Sequence, residues 1–556
     1  MYCNPHATAP AQEHDVCIVG AGPVGLALAL ECEAKGLSVL LLEAGQARAG
    51  QVVDQLSNTE ISDPLRHAPL DHINCCGLGG TSELWGGRCV PLDNIDYERR
   101  SFVNQSGWPI SATELENYNA TAASYLDCGS SGFISEIAGW DQAPEMSCQS
   151  IERLSSQPRL GRRFRSTLGN SNLIRVHLGE VVEGVVLDGE QERVTTLRLA
   201  SGLRPSARLF VVACGGLQVT RLLLGLQRIR PQSFGGEDGP LGRFYMGHLT
   251  GRIASVVLHE PEAVENFCYR RDHEGYWYRR RFTFGAATQR EQELLNTVFW
   301  LGNPPFYDPS HGSAAASSLF LSLGLIPRLK YFSKDFISFH HGDGIPDIKT
   351  HLANIWNGPG DAARALARAV RHQLSRDKLK PFFITNPRGV YSLHYHSEQL
   401  PQASNRVRLK RNSDRLTIDY NFCDQDTSSV VRAHDILDRA LRRSGKGYLK
   451  YWQYPEERAA HVLAQASDGY HQIGTARMGD GEHNSVVDKD CRVHGLKNLF
   501  IAGSAVFPTS GQANPTFTAV ALAVRLAAHL SKELRCLAVD PGIAPSATRV
   551  RAAPGG

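Results

Sequence analysis

No CxxC pair occurs in the 556 residues, and the 13 cysteines are odd in number and scattered. That argues against a disulfide framework or a zinc site and for a reducing compartment, the cytoplasm. No uninterrupted apolar run reaches the roughly 18 to 20 residues of a membrane-spanning helix. The nearest, "SSLFLSLGLIPRLKYF" from Ser317, is short and broken by Pro327. Its apolar start and basic end fit a flap or a buried helix, with membrane-surface contact around 317–332 as the lesser reading. A large charge of one sign is also missing: the formal net charge is +3, which does not favour nucleic acid as a partner. "MYCNPHATAPAQEHD" is polar and Pro-broken, and shows neither the apolar core of a signal peptide nor a twin-arginine leader. Glycine, by contrast, is plentiful: 52 residues suggest many tight turns close to a ligand. Hydrophobic content of 42% and charged content of 21% describe a soluble globular chain whose length favours two large domains.

"DVCIVGAGPVGLALALECEAKGLSVLLLEAG" predicts a strand from Asp15 to Gly20, a helix near Val24 to Lys35 and a second strand from Ser38 to Glu43. Gly20, Gly22 and Gly25 fit G-x-G-x-x-G: a tight turn, close approach of a pyrophosphate, and close packing of helix on strand. The helix start offers free N–H groups and partial positive charge to phosphates. Glu43, at the second strand's end, is placed to accept hydrogen bonds from both ribose hydroxyls and disfavours a 2′-phosphate, hence NADP. The fingerprint serves FAD and NAD alike; its place at the start of the chain leans towards FAD.

"CCGLGGTSELWGGRCVPLD", Cys75 to Asp93, sets five glycines around Trp85. It reads equally as a hinge or lid and as a loop laid along an extended cofactor. "SAVFPTSGQANPTFTAVALAVRLAAHL", Ser504 to Leu530, is a broken loop followed by an apolar helix, with Asn514 as N-cap and Pro515 at the first helical position. "RVRLKRNSDRLTIDYNF" from Arg406 predicts a hairpin turning at Asn412-Ser413, and "SSVVRAHDILDRALRRSG", Ser428 to Gly445, an amphipathic helix.

Taken with "SGWPISATELENYNATA" from Ser106, "LFVVACGGLQVTRLLL" from Leu209, "PLGRFYMGHLTG" from Pro240 and the stretch His471 to Leu530, these segments resemble the glucose–methanol–choline (GMC) family of flavin oxidoreductases, nearest to its sugar-oxidising branch of pyranose oxidases and fructose dehydrogenases. The resemblance implies an α/β protein: a Rossmann-like FAD-binding domain with an α+β substrate-binding domain built on an antiparallel sheet. The implied FAD domain is assembled from 10–100, 170–252 and 468–535, with 101–169 as a connecting or lid segment, 253–467 as the substrate domain and 540–556 as a disordered tail. It places Gly79, Gly80, Thr81, Trp85, Gly86, Gly87, Val182, Cys214, Gly215, Gly503, Ser504, Asn514, Pro515 and Thr516 against FAD. Leu84 stands where the branch attaches FAD through a histidine, so FAD is expected to be noncovalent.

The implied reaction is oxidation of an alcohol, most simply a sugar, glycoside or polyol hydroxyl, by hydride transfer to flavin N5. Among 21 histidines, His471 in "DGYHQIGTARMG" corresponds to the family's base and Asn514 to its partner, whose amide holds the alcohol oxygen. His394 and His396 alternate on one strand face and are candidate substrate contacts; with no third ligand evident, no metal is expected. His248 reads as a structural histidine. Oxygen, a quinone or a redox protein would accept the electrons. The competing readings are a lyase of this architecture that uses FAD structurally, a simple alcohol or choline-like dehydrogenase, a noncatalytic flavin protein and an NAD-dependent dehydrogenase.

Overall fold

The computed structural model describes residues 14–50, 57–129, 132–140, 143–325, 347–374, 381–411 and 413–539. The expected tail at 540–556, residues 10–13, the end of 317–332 and Asn412 lie outside them.

The apolar strand His14–Val19 lies at the centre of a five-stranded sheet, between Ala207–Val212 and Val39–Glu43; Leu499–Ile501 and Ile174–Leu178 form the edges. Every pairing in it is parallel, and its central strands are continuous apolar runs because helices cover both faces. The helices Pro23–Ala34 and Thr516–Val539 pack together through buried alanines, including Ala27, Ala29, Ala519 and Ala523, whose small side chains allow close approach. The first strand has its sequence neighbour on one side and a distant strand on the other. Its carboxyl end is therefore a topological switch point, where an α/β sheet leaves a crevice.

A second sheet is wholly antiparallel, in the order Thr297–Leu301, Val390–Glu398, His248–Leu258, Gly447–Tyr451. The helix Asp424–Arg443 covers one face: its His434 packs against Phe299 and Tyr395. The alternate positions His394, His396, Trp300 and His248 therefore point to the other face. That helix begins four residues before the expected Ser428, because the Asp426 carboxylate accepts the Cys423 and Leu400 N–H groups and fixes its first turn. The hairpin forms as Arg406–Leu409 against Leu416–Asp419. The described part of 317–332 is the end of the helix Ala314–Leu325, buried from Ala314 to Leu319. Among the described residues no helix is long and apolar enough to cross a membrane.

Candidate active site

The carboxyl ends of the parallel strands open into a cleft. Gly20, Gly22, Glu43, Gly80, Thr81, Val182, Cys214, Gly215, Gly503, Ser504, Pro515, Thr516 and His471 all line it. The two glycine-rich loops touch: a Cβ at Gly80, whose φ is +50°, would stand 2.9 Å from the Gly22 Cα. At Gly25 a Cβ would collide with the Gly20 carbonyl, so this glycine serves helix packing and not the cleft wall.

Glu43 is braced more heavily than its position suggests. Its Oε2 accepts the Ala21 N–H at 2.8 Å, and its Oε1 accepts those of Gly45 at 2.9 Å and Gly77 at 2.8 Å. Burial pushes its pKa up while these donors pull it down. Two of these bonds, from Ala21 and Gly77, tie the first loop to the second, and the Gly45 bond closes the turn after the strand. Trp85 and Gly79 are off the cleft wall: the Trp85 indole donates to the Pro158 carbonyl at 2.7 Å, and Gly79 leaves space for the Gly161 backbone. Gly86 and Gly87 are likewise off the cleft wall. Cys75 and Cys76 do line it, and burial pushes the Cys75 thiol up to about 11, so it is held protonated. All twelve described cysteines are free.

His471 follows Asp468 by three residues on a loop turned by Gly469 and Gly474 (φ +119° and +85°). Its Nδ1 lies 3.1 Å from Asp468 Oδ2 and 2.9 Å from His248 Nδ1. A carboxylate only accepts, so the arrangement in which both contacts are favourable puts the proton on His471 Nδ1, shared by Asp468 and the His248 lone pair. His248 then carries its proton on Nε2, a buried atom with no hydrogen-bond partner among the described residues. His471 Nε2 is left with a lone pair and makes no hydrogen bond among the described residues. Asp468 is itself fixed by the N–H groups of His248 at 2.7 Å and Tyr470 at 2.9 Å. Burial raises its pKa, but His471 and these donors more than offset that and hold it below the usual carboxylate range.

His396 stacks on His248 with ring centroids 4.1 Å apart and lies 5.7 Å from the His471 ring. Its Nδ1–H donates to the Gln512 carbonyl at 2.6 Å, and burial followed by the charge of His471 pushes its pKa down to about 3. It is neutral at physiological pH. A nitrogen from each of His248, His396 and His471 falls within 4.8 Å of the others, so the histidines that gather round His396 are His248 and His471, and His394 stands outside the group. Metal lies in the plane of each imidazole that binds it, and the near-parallel stack of His248 on His396, tilted by 22°, does not direct both rings at one ion. His394 stacks against Trp300, centroids 5.7 Å apart. Asn514, half-buried, immediately precedes Pro515 and Thr516 on the cleft wall and follows Gln512 by two residues. Three participants carried no role in the sequence reading: Asp468, His248 as a contact of His471, and Gln472, whose amide bridges Asn74 at 2.9 Å and the Leu217 N–H at 3.0 Å.

Residues 401–523 match the model of the family described as GMC oxidoreductase. A 2-methyl-1,2-propanediol dehydrogenase from Mycolicibacterium austroafricanum is 37% identical over 97% of this chain and 99% of its own length. Shorter stretches resemble C-glycoside 3-oxidases: 44% identity with that of Arthrobacter globiformis over 18% of this chain, and 28% with that of Microbacterium trichothecenolyticum over 36%. These matches span 20% and 39% of the two oxidases. Among solved structures, a formate oxidase variant from Aspergillus oryzae shares the fold, with a TM-score of 0.51 at 13% identity over 95% of this chain and 100% of that one.

Proposed function

The chain belongs to the GMC oxidoreductases, and from that premise we propose that it oxidises a hydroxyl group of a sugar, glycoside or polyol to a carbonyl with FAD in the cleft. The observation that carries this reading is His471: it lies on the same wall as Gly20, Gly22 and Glu43, with Nδ1 engaged by Asp468 and Nε2 unengaged.

The residues present fit FAD. The cleft runs from the Pro23 helix start to the Thr516 helix start, and glycines stand where a Cβ would close it. The Pro23 helix start would hold the pyrophosphate. Glu43 would face the ribose, where its charge would repel a 2′-phosphate. Val182 would stand against the adenine, and the positive end of the Thr516 helix would face the flavin's polar edge. Leu84 offers no atom for attachment, so we take the cofactor as noncovalent and expect denatured protein to release all its yellow colour. When bound, FAD supplies a hydride acceptor at flavin N5.

The chain's own part is the proton. His471 Nε2 takes it from the substrate hydroxyl, and Asp468 Oδ2 stabilises the imidazolium that forms. The Asn514 amide N–H holds the substrate oxygen; an amide does not accept a proton at neutral pH, so His471 is the base of the pair. The full-length likeness to a diol dehydrogenase favours small polyols over hexoses within this class. Anaerobic titration of the yellow holoprotein with sugars, glycosides, polyols and simple alcohols tests the reading. A polyol or sugar should bleach the flavin. A spectrum that no hydroxyl compound changes would contradict oxidation and favour the lyase.

A further inference from the structure

The sheet face that carries His394 and His396 meets two guanidinium ions, the buried Arg279 and the half-buried Arg88, that share one carboxylate. Arg279 lies 4.0 Å over the Trp300 ring and 2.5 Å from Glu152 Oε1. Arg88, directly after the glycine-rich loop, lies 5.5 Å over the same ring and 3.8 Å from the same oxygen. Among the described residues Glu152 is the only carboxylate within 4 Å of either arginine, so the two guanidinium ions share one negative charge. The imidazoles beside them add no counter-charge. Burial, then Arg252, Arg279 and Arg88, hold His394 well below its ordinary pKa, and Arg88 adds to the depression of His396.

Arg88 is half-buried, with 39% of its side chain accessible, beside the buried Arg279. Its hydrogen-bond partner is the Tyr269 hydroxyl, which leaves most of its five donors unused. Trp300 offers no stacking platform for a sugar ring, because Arg279 and His394 already cover it.

Glu152 is taken up by Arg279, and the accessible guanidinium fork of Arg88 matches a carboxylate through two parallel hydrogen bonds. We propose that Arg88, backed by Arg279, binds a carboxylate on the substrate, so that the hydroxyl oxidised at His471 belongs to a hydroxy acid or an acidic sugar. This rests on the proposed alcohol oxidation, and it assigns no new bond-making step.

The test is anaerobic flavin reduction with holoenzyme and matched substrates: glycerol against glycerate, a methyl glucoside against its glucuronate, and glycerol 3-phosphate. The acid of each carboxylate pair should half-saturate at a concentration about 100-fold lower, an advantage that shrinks with salt. Arg88→Gln should abolish that preference and leave the neutral partners unchanged; Arg88→Lys, which keeps the charge, should retain part of it. Propionate, which has no hydroxyl to oxidise, should raise the melting temperature of wild type but not of Arg88→Gln. Equal saturation by acid and neutral partners, a preference for the phosphate, or an Arg88→Gln defect shared by neutral substrates would each overturn the proposal while leaving alcohol oxidation standing. If nothing bleaches the flavin, alcohol oxidation fails, and the propionate shift still decides whether Arg88 binds a carboxylate.

Discussion

Asp468→Asn keeps the shape of a side chain on which the chemistry depends and removes one acceptor. In the native site Oδ1 accepts the Tyr470 N–H at 2.9 Å and the His471 N–H at 3.3 Å. Oδ2 accepts the His248 N–H at 2.7 Å and the His471 Nδ1–H at 3.1 Å. An amide has two ways to sit there. With its NH₂ in place of Oδ1, two backbone bonds are lost and the His471 tautomer survives. With its NH₂ in place of Oδ2, the His248 N–H bond is lost, the amide donates to His471 Nδ1, and the contact of that nitrogen with the His248 lone pair is lost as well. The proton is then driven to Nε2, where it blocks the base. Each orientation gives up two contacts, so about half of the molecules hold the inert tautomer. Loss of the anion beside the developing imidazolium adds about another tenfold. The limiting rate of flavin reduction should therefore fall about 20-fold. Asp468 lies off the FAD cleft wall, so flavin content should be normal. Anaerobic stopped-flow absorbance measures this directly. A variant with full flavin and a rate within about threefold of wild type would refute the assigned tautomer.

Other parts of the structure carry their own tests. Gly80→Ala, which places a Cβ 2.9 Å from Gly22 Cα at a positive φ, should push the two cofactor loops apart and yield protein short of FAD; a wild-type flavin-to-protein absorbance ratio would contradict that. Arg100→Leu strands Glu398, whose carboxylate it grips at 2.6 and 2.7 Å in the interior, and should cost about 3–5 kcal/mol in urea unfolding. His396 has a folded pKa of about 3, below the unfolded value of about 6.5, so between these the unfolded chain holds the extra proton. Stability should be full above that window and fall with pH inside it, by up to about 1.4 kcal/mol per unit, and His396→Gln should flatten the slope of melting temperature against pH.

The turn at Gly20, the helix behind it and the strand ending at Glu43 were legible because each signal is local: glycines at fixed offsets, then a change from strand to helix periodicity. The shared face of His394 and His396 followed from period two alone. What Glu43 does was not legible, since its donors at Ala21 and Gly77 lie 22 and 34 positions away. His248 lies 223 positions from His471 and meets it only because one antiparallel strand ends beside the loop of the other. Asp468 did leave a signal: the D-x-x-H spacing in "DGYH" can place a carboxylate under an imidazole. The run Arg279–Arg281 looks like a solvated charge cluster, yet its members are 3%, 5% and 1% exposed. Burial of that kind depends on which strands cover it, and no local pattern reports it.

His471→Ala tests the central claim most directly, because it deletes the base and leaves the cofactor wall in place. Mixed anaerobically with a sugar or polyol that bleaches wild type, the variant should hold its full complement of FAD and reduce it at least about 100-fold more slowly. Reduction at the wild-type rate would contradict the account.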